Sequence, residues 1–301
     1  NLLEHSGSTI VNDIKGELYA LTANYRKQHF NSQCYCFNPM REEGAGDFYN
    51  PFFYVSNSPD KRIDDLFIMS EALIPETKLG EGFWYQSSRE LFLLLSLFLL
   101  EIRGKATLSD VYDLSKEASL PMYLLTEIQN SGSAPSALLM QNYTALSEAD
   151  EKTQRNIVKD FQSRLVFMMS PSIRRATSKN SFDLSKLRQE KMSVYLSIPT
   201  GFQGLLSPLL TVFWTQVTHL MTKHEPKIKN EPYSVLCLLD EFGMMEPINR
   251  IKDGLSFLRS YRVRFIIIVQ YLSQIVSKYG RDDAKSFFNT KTKIIFAYDN
   301  A

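Results

Sequence analysis

Residues 235–241 read Val-Leu-Cys-Leu-Leu-Asp-Glu, an unbroken apolar run that ends in two adjacent carboxylates. Apolar side chains on both faces of a strand are typical of a parallel sheet that is covered by helices on both sides. Ligands of open α/β sheets bind at the carboxyl ends of the strands, where Asp240 and Glu241 would lie. In P-loop ATPases an acid at this place holds Mg²⁺, and its neighbour can polarise the attacking water. The plainer alternative is that the two acids only begin a surface loop.

Five further apolar runs have the length of short strands. They lie at residues 9–11, 34–37, 193–198, 265–269 and 293–297. Helix-length segments separate most of these runs, and this alternation predicts an α/β domain with a mostly parallel sheet. Because crossovers between parallel strands are right-handed, we expect the polar residues that follow three of the strands, Asp13, Asp240 and Gln270, to lie along one edge of the sheet.

The composition is that of an ordinary globular protein. The 301 residues are 44% hydrophobic and 22% charged, which excludes a disordered chain. The formal net charge of +1 provides no general attraction to nucleic acids or acidic membranes, so such binding would need local patches. The three cysteines all fall in predicted strands, which is typical of small buried side chains in a reducing compartment. The four histidines form no ligand cluster, which argues against a structural zinc site.

Strand patterns are missing between about residues 70 and 180, where the sequence predicts a set of helices. The helical candidates lie at residues 86–103, 107–117, 120–130, 135–146 and 148–169. Thr107 and Ser109 can cap the second of these helices. Ser147 has acids three and four residues after it, as in a capping box, and is predicted to cap the last one.

This change of pattern predicts how the chain is divided into domains. We expect the first part of a nucleotide-binding domain at residues 1–82, an inserted all-α domain at 83–182, and the second part of the nucleotide-binding domain at 183–301. Within the helical set, residues 91–100 are almost all apolar. That stretch is shorter than the about 20 residues that span a bilayer, so it predicts a helix buried on most sides.

A phosphate-binding P-loop, Gly-x-x-x-x-Gly-Lys-Ser/Thr, does not occur in the sequence. The pair Gly104-Lys105 does not qualify, because Ala106 follows where a hydroxyl is needed and a leucine stands in place of the first glycine. The pair also falls between two predicted helices rather than after a strand. Since a P-loop and its helix precede a strand such as residues 9–11, we expect the chain to begin just after its own P-loop. By itself it is then expected to be monomeric, to bind ATP weakly or not at all, and to be inactive.

Several motifs resemble those of the type IV secretion coupling proteins of the TraG/TraD family. Val-Asn-Asp-Ile-Lys-Gly-Glu-Leu-Tyr at residues 11–19 resembles their Asp-Pro-Lys-Gly-Glu-Leu segment. Asp-Glu-Phe-Gly at 240–243 resembles their Leu-Asp-Glu-Phe motif, and residues 254–264 are similar to the helix and turn that follow it. Residues 270–275 are similar to their Gln-Ser-x-x-Gln-Leu pattern, and residues 288–296 to the next strand. The family order is kept along nearly the whole chain, with the helical insertion where the family has its all-α domain, so the resemblance implies a RecA-like P-loop fold.

The resemblance implies ATP and Mg²⁺ as cofactors and gives roles to three residues at the predicted sheet edge. Asp240 would hold Mg²⁺ and its waters, and Glu241 would be the base for water attack. Gln270 would sense the γ-phosphate and report hydrolysis to the rest of the subunit. The alternatives are structural, with the two acids as loop caps and Gln270 as an amide that hydrogen-bonds the loop backbone.

The resemblance also implies that Arg259 acts in trans on the nucleotide of the next subunit in a ring. A guanidinium suits this role because it stays charged and binds phosphate through two donors. The alternative is a solvated helix residue. Asp13 and Lys15 are expected to shape the nucleotide pocket or to couple it to the subunit interface, or else to form a turn with the glycine that follows. The sequence departs from the family pattern at Ile14, which replaces a proline, and at Tyr271, which replaces a serine.

What the family does is implied for the full-length protein. It would be a membrane-anchored ATPase on the cytoplasmic face of the bacterial inner membrane, assembled as a hexameric ring. ATP hydrolysis would drive DNA or protein substrates to a type IV secretion channel. The expected partners are other copies of the chain and the inner-membrane components of the secretion system. The all-α domain would receive a DNA relaxosome, protein effectors or adaptors.

Two other functions are compatible with the sequence. One is a docking module for substrates and adaptors, in which the nucleotide site is regulatory only. The other is a DNA pump of the FtsK/HerA kind, against which the helical insertion argues by analogy alone. The sequence does not distinguish DNA cargo from protein cargo.

Overall fold

The structure is a computed structural model that describes residues 1–41, 46–76, 82–289, 292 and 294. The described strands are β1 (Ser8–Asn12), β2 (Gln33–Phe37), β3 (Met192–Leu196), β4 (Val235–Leu239) and β5 (Val263–Ile267). They form one sheet in the order β2-β3-β1-β4-β5, and every neighbouring pair is parallel. The prediction of an α/β fold with a parallel sheet is confirmed. The strand predicted at 293–297 falls on residues that, apart from Ile294, lie outside the described part of the chain.

Helices make up most of the remaining described chain. The α-helices are α1 (Glu17–Phe30), α2 (Pro59–Leu73), α3 (Gly82–Ile102), α4 (Leu108–Leu114), α5 (Leu120–Ser131), α6 (Ala137–Glu148), α7 (Glu151–Arg164), α8 (Pro171–Ala176), α9 (Gln203–Thr222), α10 (Asn249–Gly254) and α11 (Leu272–Phe288). Short 3₁₀ helices lie at Pro51–Tyr54, Val166–Met169, Leu184–Lys186, Thr200–Phe202 and Phe242–Met244. Between β2 and β3 the described residues contain helices and no strand, as the sequence predicted.

The sheet is buried on both faces, which explains why its strands are continuous apolar runs. On one face Val11, Tyr195 and Leu238 pack together with Ala23 of α1. On the other face, alternate residues of the same strands, such as Cys237, join a large core to which α9 contributes. All residues of β1, β3 and β4 are buried. The strands are therefore held in register by packing on two sides, which a shift of one residue would disrupt on both.

Helix α3 is the centre of the helical segment. Its residues from Leu91 to Leu99 are all buried, which confirms the expectation of a helix enclosed on most sides. It packs against α2, α4, α6 and α7. The apolar core continues from this helix into one face of the sheet, and the proposed boundaries of the all-α domain stay a prediction. None of the described helices combines the length and the apolar composition that a bilayer-spanning segment requires.

The helix caps agree with the sequence in one case and differ in another. Thr107 caps α4, since its hydroxyl accepts from the Asp110 amide while the Asp110 carboxylate accepts from the Thr107 amide. The prediction that Ser147 caps α7 is wrong. Helix α6 continues through Ser147 to Glu148, and Asp150 accepts hydrogen bonds from the amides of Lys152 and Thr153 in the first turn of α7. A carboxylate directly before the helix reaches these amides, whereas a serine three residues before that carboxylate does not.

Candidate functional site

Neighbouring strands bring the predicted site residues to one edge of the sheet. Asn12 at the end of β1 pairs with Leu239 at the end of β4, and β4 pairs in register with β5. Asp13 and Asp240 are therefore the first residues after two adjacent parallel strands. Gln270 follows the end of β5 by three residues at the same edge. The expected alignment of these strand ends is confirmed.

Asp13 is committed to the local backbone. Its two carboxylate oxygens accept hydrogen bonds from the amides of Leu18 (3.2 Å) and Tyr19 (2.7 Å) in the first turn of α1. Its carbonyl accepts from the amide of Gly16, which has a φ of 74°, a conformation that suits glycine. Burial raises the pKa of Asp13, and the amide hydrogen bonds oppose that rise. These contacts agree with the interpretation of Asp13 as a turn residue. Asp13 therefore shapes the backbone between β1 and α1 at this end of the sheet.

Lys15 contacts the second acid of the β4 motif. Its Nζ lies 3.2 Å from Glu241 Oε1, and the two side chains are 63% and 21% exposed. The hydrogen bond and charge of Glu241 raise the pKa of Lys15. This contact could not be read from the sequence, because it depends on β1 and β4 being neighbours in the sheet. The pair places a cation directly beside the carboxylate that was predicted to act as a base.

Glu241 has an unusual backbone conformation. Its φ of 48° and ψ of 42° place it in the left-handed region, which costs free energy for a residue with a side chain. The chain is held there from both sides, since the amide of Phe242 donates to the carbonyl of Ile268 and the amide of Ile268 donates to the carbonyl of Leu239. Strain of this kind is characteristic of positions where a side chain must be aimed at a site.

Asp240 lies among other negative charges. Burial raises the pKa of its carboxyl group, and the charges of Glu241 and Asp13 add to this effect, while the Glu241 amide and Lys15 oppose it. Asn12, fully buried, donates from Nδ2 to the carbonyl of Asp240 at 2.9 Å. Its own Oδ1 has no hydrogen-bond partner among the residues that the structure describes. Sequence reasoning missed this role of Asn12, although a polar residue at the end of a buried strand was a visible signal.

The acids at this edge fit one kind of metal site. The described residues contain no group of three or more His, Cys, Asp or Glu side chains able to enclose a metal. Mg²⁺ does not need such a cage, because it keeps several waters and binds through one or two carboxylates together with substrate phosphates. Burial, together with the charges of Glu241 and Asp13, raises the pKa of the Asp240 carboxyl group, and a cation beside it would oppose this rise. Asp240 therefore fits as a single protein ligand of Mg²⁺.

The two remaining predicted residues, Gln270 and Arg259, are both exposed, and they lie near opposite ends of the strands. Gln270 lies between β5 and α11, and its side chain makes no hydrogen bond to any residue that the structure describes. Arg259 lies in a turn between α10 and β5, four residues before Val263, and hence near the amino ends of the strands. Because the strands are parallel, Arg259 is at the edge opposite to Asp240 in the same chain.

Comparison with known proteins places the sequence in one family. All residues, 1–301, match the family model described as type IV secretory system conjugative DNA transfer. Protein VirD4 of Rhizobium radiobacter is 27% identical over 300 residues, which cover 98% of this chain and 43% of the relative. Conjugal transfer protein TraG of Escherichia coli is 23% identical over 306 residues, covering 94% of this chain and 47% of the relative. The chain thus spans less than half the length of these relatives.

Solved structures of the plasmid coupling protein TrwB share the fold. The complex with ADP and Mg²⁺ superposes with a TM-score of 0.62 at 13% identity, covering 95% of this chain and 69% of that one. The complex with the non-hydrolysable GTP analogue GDPNP gives a TM-score of 0.61 at 13% identity over 94% of this chain and 68% of that one. This likeness shows a RecA-like α/β fold. Because the family model covers the whole sequence, the chain belongs to the type IV secretory system conjugative DNA transfer family, and its resemblance to type IV coupling proteins is confirmed.

Proposed function

We propose that the full-length protein is a coupling-protein ATPase that binds ATP with Mg²⁺ at the edge formed by β1, β4 and β5. The observation that carries this proposal is the placement of Asp240 and Glu241 at the carboxyl end of a buried parallel strand, with Lys15 beside Glu241. Nucleotides bind at this edge of open α/β sheets. The TrwB complexes with ADP and Mg²⁺, with a GTP analogue and with an ATP analogue support a nucleotide as the ligand.

The described residues have distinct roles in this proposal. Bound Mg²⁺ would neutralise charge on the phosphates and hold their geometry. Asp240 provides one carboxylate ligand for it, and Asn12 holds the backbone of Asp240 in place. Glu241 accepts the proton of the attacking water, and Lys15 keeps the carboxylate of Glu241 at the edge. Gln270, free of other hydrogen bonds within the described chain, senses the γ-phosphate.

The proposed work of the protein requires a ring. Arg259 lies far from Asp240 within one chain but is exposed, so it is suited to reach the nucleotide of a neighbouring subunit. Contacts of this head-to-tail kind close into rings, and we propose a hexamer. In this proposal the ring sits at the cytoplasmic face of the inner membrane, residues 83–182 receive DNA or protein substrates, and hydrolysis drives them to a type IV secretion channel.

Replacing Asp240 by asparagine in the full-length protein is expected to weaken the Mg²⁺-dependent part of nucleotide binding by at least about 10-fold, because an amide is a poorer ligand for a hard cation than a carboxylate. Calorimetric titration with ADP, in the presence and in the absence of Mg²⁺, measures the Mg²⁺-dependent part of the affinity separately. Asp253→Asn is the matched control, since Asp253 is exposed and its carboxylate pairs with Lys252 at 3.5 Å. An Asp240→Asn protein whose ADP affinity still rises with Mg²⁺ as in the parent would contradict the assignment.

A further inference from the structure

A network of backbone hydrogen bonds fixes the turn that carries Arg259. Arg262 ends this turn with a φ of 62°, in the left-handed region that residues with side chains rarely adopt. Its amide donates to the carbonyl of Arg259 at 3.0 Å, and its carbonyl accepts from the amide of Val235 at the start of β4, also at 3.0 Å. The turn is thus tied directly to the strand that ends in Asp240 and Glu241.

The guanidinium of Arg262 holds the neighbouring segment. Its two terminal nitrogens donate to the carbonyls of Glu231 (2.9 Å) and Pro232 (2.8 Å). A planar guanidinium holds two carbonyls at once in a fixed geometry. A lysine ammonium can also bind two carbonyls, but it does not fix their relative positions as closely. The side chain of Arg262 therefore joins the turn before β5 to the segment before β4.

A buried ion pair contacts both segments that Arg262 joins. Arg188 and Glu231 are 3.1 Å apart with side chains 1% and 4% exposed. Arg188 also donates to the carbonyl of Tyr261 (3.3 Å), next to Arg262, and to that of Met221 at the end of α9 (3.0 Å). Glu231 accepts a further hydrogen bond through its second oxygen from His224, at 3.1 Å. Such a pair is costly to bury unless its remaining donors and acceptors are used. Here they are used by Met221 and His224 and, on the turn itself, by the carbonyl of Tyr261.

Arg259 itself stands outside this network. Its side chain is exposed, and only its carbonyl takes part, as the acceptor for Arg262. The turn is thus held in place, while the guanidinium of Arg259 makes no hydrogen bond or ion pair with the residues that the structure describes. A backbone that is already fixed lowers the entropy that a side chain loses when it binds a transition state. Misplacement of such a side chain by about 1 Å can lower the reaction rate about 10²-fold.

We infer that Arg188, Glu231 and Arg262, here called the Arg262 clamp, position Arg259 for its contact with the nucleotide of the neighbouring subunit. Arg262 is the positioning residue, and the buried pair supports it. The inference rests on the proposed role of Arg259 in trans. It adds residues at the amino ends of the strands to a site that otherwise lies at their carboxyl ends.

The test is a double-mutant cycle on ATP hydrolysis by the full-length, assembled protein. Arg259→Ala is expected to lower kcat by about 10³-fold or more. Arg262→Gln is expected to lower kcat roughly 10- to 100-fold with KM for ATP within about twofold of the parent value. Because Arg262 acts through Arg259, the double variant is expected to be no slower than Arg259→Ala alone.

The control is Arg264→Gln, which removes an exposed arginine from β5, two residues further along, and should leave kcat unchanged. Arg262→Lys, which keeps the charge and one donor group, is expected to lie between the parent and Arg262→Gln, and it serves as the test if the glutamine variant does not fold. Two results would overturn the Arg262 clamp and leave the role of Arg259 intact. One is a kcat for Arg262→Gln within twofold of the parent value. The other is a double variant whose kcat falls below that of Arg259→Ala by the same factor that Arg262→Gln shows by itself. Wild-type kcat in Arg259→Ala would instead overturn the proposed role of Arg259 and the clamp with it.

Discussion

Replacing Glu241 by glutamine in the full-length protein is expected to lower kcat for ATP hydrolysis by about 10²–10⁴-fold, the range that a positioned general base contributes. Glutamine keeps the size of the side chain and its hydrogen-bonding oxygen, so ATP affinity should stay within a few-fold of the parent value. It cannot accept the proton of the attacking water. Single-turnover hydrolysis and equilibrium binding of a non-hydrolysable ATP analogue separate the two effects.

The control for this change is Glu246→Gln. Glu246 is exposed and pairs with Lys278 at 3.4 Å, so its replacement should alter neither quantity by more than about twofold. Hydrolysis at the parent rate in Glu241→Gln would remove Glu241 from the mechanism.

The same variant distinguishes the motor from the docking module in cells. If hydrolysis drives transport, Glu241→Gln blocks secretion while cargo still binds to the coupling protein. If the protein only docks substrates and adaptors, secretion continues without hydrolysis. The Glu241→Gln variant also changes the contact with Lys15. The uncharged glutamine loses the ion pair at 3.2 Å, but its oxygen can still accept a hydrogen bond from the ammonium. Lys15→Met removes the same ion pair but keeps the carboxylate, so a smaller loss of kcat in Lys15→Met than in Glu241→Gln assigns the difference to Glu241 itself.

The strands were predictable because burial on two faces leaves a continuous apolar run. Residues 235–239 form β4 as expected, and the runs at 9–11 and 34–37 lie inside β1 and β2. The run at 265–269 was placed two residues late, since β5 begins at Val263 and includes the exposed Arg264. A charged residue in β5, the outermost strand among the described residues on this side of the sheet, interrupts the apolar pattern without ending the strand.

The contacts within the candidate site were not predictable from these patterns. Lys15 meets Glu241, and Asn12 meets Asp240, only because β1 lies next to β4 in the sheet. Apolar runs identify strands but do not give their order. Arg188, fully buried, was also missed, because a single arginine in a sequence looks the same whether it is solvated or paired inside.

Arg26 presents the same difficulty, and it leads to the largest stability effect that we expect. Its side chain is 0% exposed. It donates to Ser193 Oγ at 2.7 Å and to three carbonyls of the segment before β1, those of Leu2 (2.5 Å), His5 (2.8 Å) and Gly7 (2.6 Å). None of these partners is a carboxylate, so the charge is balanced by the three carbonyl dipoles, the Ser193 hydroxyl and the ring of Phe30, whose centroid lies 5.2 Å from the guanidinium carbon. The residue thus joins α1, β3 and the segment that leads into β1.

Replacing Arg26 by methionine is expected to lower the free energy of unfolding by about 3–5 kcal/mol, because each buried carbonyl left without a donor costs about 1–3 kcal/mol and the removal of a buried charge offsets only part of the total. Urea unfolding of the purified chain measures the loss. Arg155→Met, at an exposed position of α7, should change the value by less than about 0.5 kcal/mol. A loss below 1 kcal/mol in Arg26→Met would mean that the three carbonyls find water instead. Amide exchange distinguishes these cases, since the hydrogen-bond account requires residues 2–7 to lose protection before the sheet does.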